Sequence, residues 1–135
     1  MSSLFRTVIA SSKAPKPIGP YSQAVKVGNT VYVSGCLGVE PTTMQLVSGG
    51  PAEEAKKALD NLKEVLSCAD SSLGNVVKAT VFLDDLNNFS TVNEVYKKYF
   101  AEPFPARSCF QVAKLPMGAK VEIEVVAISG RLETK

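Results

Sequence analysis

Arg107, Cys109, Glu122 and Glu124 are the side chains here best placed for polar chemistry at close quarters, because two short runs carry them at alternating positions. The first run is Phe104-Pro105-Ala106-Arg107-Ser108-Cys109-Phe110-Gln111-Val112-Ala113, and the second is Lys120-Val121-Glu122-Ile123-Glu124-Val125-Val126-Ala127-Ile128. In a strand, successive side chains point to opposite faces. Arg107, Cys109 and Gln111 therefore share one face, and Glu122 and Glu124 share another, opposite Val121, Ile123 and Val125. Leu115-Pro116-Met117-Gly118 supplies turn residues between the runs, so they read as a β-hairpin with a longer loop. The register expected on energetic grounds sets Arg107 and Cys109 beside Glu122 and Glu124. The opposite parity would place the guanidinium among valines and isoleucines, which is costly unless it finds a partner there. Such a cluster has two readings. One is a solvated cross-strand ion pair worth a few tenths to ~1 kcal/mol. The other is an arginine that clamps a carboxylate or phosphate through two hydrogen bonds, beside an acid that handles a proton or orients a water.

The rest of the composition narrows that chemistry. The chain has 135 residues and no histidine, which excludes Ser-His-Asp and Cys-His catalysis and any imidazole metal ligand or base. Carboxylates, hydroxyls, thiols, Lys, Arg, backbone groups and bound water remain. Cys109 beside an arginine is a candidate nucleophile if its pKa is lowered, but with no usual base at hand it is read instead as a pocket wall. Cys36, Cys68 and Cys109 are too few and too widely spaced for a disulfide framework or a zinc motif, which favours a reducing intracellular setting. With 15 basic and 13 acidic residues the net charge is +2, too weak to predict nucleic-acid or membrane binding. A hydrophobic content of 45% suits one domain over residues 1–135, and no apolar run approaches a membrane span.

The elements that must position these residues are legible in outline. Residues 1–39 contain Arg6, Lys13, Lys16 and Lys26 but no acid. A Ser-containing, acid-free start shares features with a mitochondrial presequence, yet residues 4–9 alternate as a first strand, which is the expected reading. Three prolines in residues 14–20 make a stiff loop that delivers Tyr21-Ser22-Gln23. Tyr21 reads either as a half-buried ring with its hydroxyl satisfied or as a pocket wall. Gly28-Asn29 closes a hairpin between residues 24–27 and 30–34, and the second strand runs into Ser34-Gly35, where glycine allows close backbone approach. Pro51 opens a helix through Ser67 with Ala55, Ala58, Leu59, Leu62, Val65 and Leu66 as its apolar stripe, and with Glu53 and Glu54 near its N-terminal dipole. Residues 75–83 read as a central strand covered on both faces. A second helix follows, with Thr91-Val92-Asn93-Glu94 fitting a capping box and Asn88 or Ser90 as equal alternatives. Phe89, Val92, Tyr96, Tyr99 and Phe100 form its apolar stripe, and Asn93 sits on the edge of that stripe. The order β-ββ-α-β-α-ββ implies an α+β fold, a mixed sheet with two helices on one face. The uncovered face then calls for burial against another chain.

Several motifs, in this order, resemble the RidA (YjgF-type) group of the Rid family in its animal branch. They are Ile18-Gly19-Pro20-Tyr21-Ser22-Gln23-Ala24, Val33-Ser34-Gly35, residues 85–96 beginning Asp85-Leu86-Asn87-Asn88-Phe89, Phe104-Pro105-Ala106-Arg107-Ser108-Cys109, and Glu122-Ile123-Glu124. The resemblance spans essentially the whole chain. It implies a chorismate-mutase-like fold, a homotrimer with sites between subunits, and hydrolysis of reactive enamine and imine acids, such as 2-aminoacrylate, 2-iminopropanoate and 2-iminobutanoate, to 2-keto acids and ammonia, a form of metabolite damage control. Neither a cofactor nor a metal is implied. By the same resemblance Arg107 binds the substrate carboxylate and Glu122 positions the attacking water. Backbone near Gly35 and Cys109 binds the imino nitrogen and the water, and Tyr21, Ser34, Asn93 and Cys109 line the pocket. Cys36 departs from the pattern, since relatives commonly have Gln there, which bears on the pocket's shape. Two alternatives stand beside this reading: a single-stranded-RNA endoribonuclease that inhibits translation, and a non-catalytic carboxylate-binding or chaperone-like module. Cytoplasmic residence is expected, with mitochondrial and nuclear residence left open.

Overall fold

Gly28, at φ 59°, occupies the left-handed backbone region that a two-residue hairpin turn requires. It joins β2 (Ala24–Val27) to β3 (Thr30–Leu37), with Val27 paired to Thr30. The computed structural model of the protein describes residues 3–135. In it β1 (Arg6–Ile9) pairs antiparallel with β2, as the alternation of residues 4–9 predicts. A small separate hairpin follows, β4 (Val39–Glu40) and β5 (Gln45–Leu46). Helix α1 (Pro51–Cys68) then buries all six residues of its expected stripe. β6 (Val76–Leu83), α2 (Phe89–Tyr99), β7 (Ala106–Gln111) and β8 (Val121–Ile128) complete the chain. Among the described residues no helix is long and apolar enough to cross a membrane.

The sheet order is β1-β2-β3-β8-β6-β7. β6 and β7 run parallel, and every other neighbouring pair is antiparallel. This overturns the expected C-terminal hairpin: β7 and β8 are separated by β6. The crossover through α2 returns the chain parallel to β6, and the loop after β7 then passes the end of β6 to reach its other side. Two hydrogen bonds mark that passage, from Val112 N–H to the Leu83 carbonyl at 2.9 Å and from Asp84 N–H to the Lys120 carbonyl at 3.2 Å. β8 thereby fills the gap between β3 and β6 and pairs with both.

Both helices lie on one face of the sheet. The α1 stripe, Val92 and Tyr96 of α2 and Phe100 just after it form a single core with Val31, Val33, Ala79, Val81, Ile123 and Val125. The other face has no helix, and Val8, Tyr32 and Phe110 are exposed on it. β6 is therefore interior to the sheet, but its outward residues Lys78, Thr80 and Phe82 are only half-buried, so the expectation of cover on both faces fails within the protomer. The capping box also fails. Helix α2 begins at Phe89, and the side chain of Asp85 accepts from Asn87 N–H in the short turn before it. Thr91 is already inside the helix, where its backbone has no end to cap.

Two polar residues of α1 are buried for reasons the stripe does not reveal. Asn61 donates to the carbonyls of Leu37 (3.0 Å) and Val39 (2.9 Å), tying the helix to the strand end. Glu54 accepts from Lys120 N–H at 2.8 Å. Gly38 packs against the Glu54 backbone so closely that a Cβ there would lie 2.5 Å from its carbonyl oxygen.

Candidate active site

Ile9, Ala24, Val33, Val125 and Ala79 form one rung across five strands, and all are buried. Arg107 is the sixth member of that rung, paired with Ala79 on the outermost strand β7. It therefore takes the parity judged too costly from the sequence, on the helix-covered face. The partner that makes this affordable is α2. Nη1 of Arg107 donates to Asn93 Oδ1 at 2.8 Å. The guanidinium carbon lies 4.7 Å from the Tyr96 ring centroid and 5.6 Å from that of Phe89. Phe89, Asn93 and Tyr96 follow at spacings of four and three, so they present one face of the helix. The sequence marks the aromatic members of this set only as core stripe; their spacing around Asn93 is the signal that groups them with it.

No carboxylate among the described residues comes within 4.0 Å of Arg107, whose one polar partner is the neutral amide of Asn93. A half-buried guanidinium with an aromatic face on one side and open N–H edges is suited to receive an anion. Cys109 lies two residues along on the same face, paired with Val81. Burial raises its pKa, and the nearby Arg107 only partly offsets this. At neutral pH it is a thiol, so the lowered pKa that a nucleophile would need is not found, and the pocket-wall reading stands. As the outermost strand, β7 also carries backbone N–H and C=O groups that point away from β6 and are free to bind.

Glu122 is elsewhere. It pairs with Leu37 and Phe82 on the opposite face of the sheet, so the expected grouping of Arg107 and Cys109 with Glu122 and Glu124 does not occur within a protomer. Its neighbour is Gly35. A Cβ on Gly35 would sit 2.6 Å from the Glu122 carboxyl carbon, so only glycine lets the acid lie flat on β3. A β-bulge makes this approach: Val33 and Cys36 pair with Val125 and Ile123, so Ser34 and Gly35 together face the single residue Glu124. Burial, then the charge of Glu124, raises the Glu122 pKa above the ordinary carboxylate value.

Tyr21 and Ser34 flank this second group. The Tyr21 ring is exposed, and its hydroxyl accepts from Ile18 N–H at 3.3 Å. Ser34 donates its hydroxyl proton to the Ser22 carbonyl at 2.6 Å, which fastens β3 to the proline-rich loop. Gln23, buried, holds the same loop through Ser11 and Pro15. Tyr21, Ser34 and Gly35 edge a cavity whose other walls include Cys36, Met44 and Met117. The Cys36 thiol, pushed up to about 12 by burial and then by Glu122, stays protonated. The seven sequence-predicted residues thus fall into two groups, Arg107, Asn93 and Cys109 under α2, and Glu122, Gly35, Ser34 and Tyr21 around β3. Among the described residues no cluster of three His, Cys, Asp or Glu could hold a metal.

The model of the endoribonuclease L-PSP family matches residues 11–129. The RutC family protein UK114 of Drosophila melanogaster is 60% identical over 100% of this chain and 98% of its own. The human 2-iminobutanoate/2-iminopropanoate deaminase is 59% identical over 99% of this chain and 98% of its own. Among solved structures, E. coli TdcF with bound serine superposes with a TM-score of 0.86 at 42% identity, covering 92% of this chain and 99% of that one.

Proposed function

This chain belongs to the endoribonuclease L-PSP (YjgF/RidA) family, and we propose that as a single domain over residues 1–135 it hydrolyses reactive 2-imino and enamine acids to 2-keto acids and ammonia. Curated relatives at 56–59% identity carry the name 2-iminobutanoate/2-iminopropanoate deaminase. The observation that carries the residue assignment is the half-buried Arg107 with no counter-ion among the described residues, held by a neutral amide and two rings. Its free N–H edge takes the substrate carboxylate through charge-assisted hydrogen bonds. The serine bound in the TdcF relative also carries a carboxylate.

Hydrolysis needs only water and a group to move protons. A water held by Glu122 attacks the C=N carbon; the C–O bond forms as the π pair moves to nitrogen. Glu122 accepts the water's proton and returns it to that nitrogen. Glu122 then takes the hydroxyl proton and passes it to the nitrogen as the C=O forms and the C–N bond breaks, and ammonia leaves. A carboxylate whose pKa is raised toward the working pH is a better shuttle than one of ordinary acidity. The free backbone groups of β7 near Cys109, and those at Gly35, bind the imino nitrogen and the water, while Tyr21, Ser34 and Asn93 shape the pocket. Arg107 and Glu122 lie on opposite sheet faces, so one protomer does not make this site. The uncovered face and the open edge of β7 support a homotrimer in which Arg107 of one subunit meets Glu122 of the next.

The RNA cleavage named in the family description calls for a strongly basic groove, and the net charge here is +2. The deciding experiment generates 2-iminobutanoate in situ and follows ammonia release above the spontaneous rate. Wild type should accelerate it, and folded Arg107→Ala should not. Equal acceleration by both proteins would sink the clamp, and none by wild type would sink the deaminase.

A further inference from the structure

An arginine side chain has several rotatable bonds, and freezing them when a ligand binds costs affinity. Arg107 is already frozen, but by no charged group. Tyr96 lies against its guanidinium and is itself fixed: it is buried at 6% exposure and stacks on Phe100, with centroids 4.4 Å apart and planes at 25°. The Tyr96 hydroxyl is buried with no hydrogen-bond partner among the described residues, so the ring is the part of this side chain that is engaged.

We propose that Tyr96, assisted by Phe89, is a positioning residue whose ring face fixes the plane of the Arg107 guanidinium, leaving the edge not taken by Asn93 free for a substrate carboxylate. This rests on the clamp reading of Arg107. A carboxylate would hold the cation as firmly but would neutralise the charge the ligand needs and occupy its donors. An aromatic face holds it without using an N–H. Phe89, more exposed and farther from the guanidinium, contributes less.

The test compares Tyr96→Leu, Tyr96→Phe and Phe89→Leu with wild type in steady-state imine hydrolysis and in calorimetric binding of 2-oxobutanoate. Circular dichroism and oligomer size select folded protein. Tyr96→Leu should raise both KM and the 2-oxobutanoate Kd roughly tenfold, the effect of losing a good cation–π contact. Its kcat should stay within about threefold, because the lost interaction acts equally on ground and transition states. Tyr96→Phe should keep the wild-type KM, and Phe89→Leu should move KM and Kd in the same direction by less. If Tyr96→Leu does not fold, Phe89→Leu decides. An unchanged Kd in the folded leucine variants, or a Tyr96→Phe loss as large as that of Tyr96→Leu, overturns the proposal. A wild type that binds 2-oxobutanoate but does not speed imine loss overturns the deaminase and leaves Tyr96 to be judged on Kd. A wild type that neither binds 2-oxobutanoate nor speeds imine loss overturns both.

Discussion

Under α2, at the edge of the sheet, sits a cation with no anion; between β3 and β8, on the other face, sit two carboxylates with no cation among the described residues. The two regions solve the same problem differently. Arg107 is held by rings and a neutral amide rather than by a carboxylate, so its donors are left available to a ligand. Glu122 gives up part of its acidity, because burial and Glu124 both disfavour its ionised form. Neither is satisfied within its own protomer. Two such unpartnered charges on a well-packed scaffold are what the proposed site between subunits requires.

The sharpest way to break that comparison is to remove one charge from each region. Glu122→Gln should lower kcat by about 10² to 10⁴ while 2-oxobutanoate still binds. Mixed with Arg107→Ala and reassembled, it should regain roughly a quarter of wild-type turnover at equal amounts, because some ring interfaces then pair an intact Arg107 with an intact Glu122. No recovery in demonstrably mixed oligomers would place both residues in one subunit's site. Next, Gly35→Ala should push the Glu122 carboxyl off β3 and lower kcat on the order of tenfold to a hundredfold. Its melting temperature should fall only slightly, since the clash is with the mobile end of a side chain; normal turnover would show that the close approach is incidental.

Asn93→Asp exchanges the neutral amide for a counter-ion. It should stabilise the fold by about 1 kcal/mol while raising KM about tenfold, and a stabilised variant with unchanged KM would dissociate the cation from substrate binding. The smallest effect is in pH dependence. The folded pKa of Glu122 lies above its unfolded value, so protonation favours the fold. That contribution is complete below the unfolded pKa, about 4.3, and is lost as pH rises through the folded value. The melting temperature of wild type should therefore fall relative to Glu122→Gln as pH rises through that window, and parallel profiles would refute the shift.

Local signals in the sequence were read well. The Gly28-Asn29 turn, the α1 stripe and the Pro51 start depend on neighbours within a few residues, and each appears where expected. The C-terminal hairpin was misread because strand pairing is not local: two runs joined by a turn-like loop are adjacent in sequence, but a third strand lies between them. Alternation correctly grouped Arg107 with Cys109 and Glu122 with Glu124, yet parity alone does not say which face the helices cover. The buried roles of Glu54 and Asn61 depend on backbone groups of Lys120, Leu37 and Val39, distant in sequence, and left no local trace.

Of the six strands of the sheet, the one between β3 and β6 is the last to be synthesised. Until residues 121–128 emerge, the growing chain has two sheet fragments with no strand pairing between them, each with an unpaired edge where β8 will sit. Folding to the native state is thus tied to the emergence of β8, and it relies on contacts between residues far apart in sequence, which slows it. Pulse-labelled hydrogen exchange should show the facing amides of β3 and β6 becoming protected together with those of β8. A chain shortened before Val121 should expose sticky edges rather than yield a smaller stable domain. Because Glu122 rides on that same strand, a chain that stops before it carries only one charge of the proposed site.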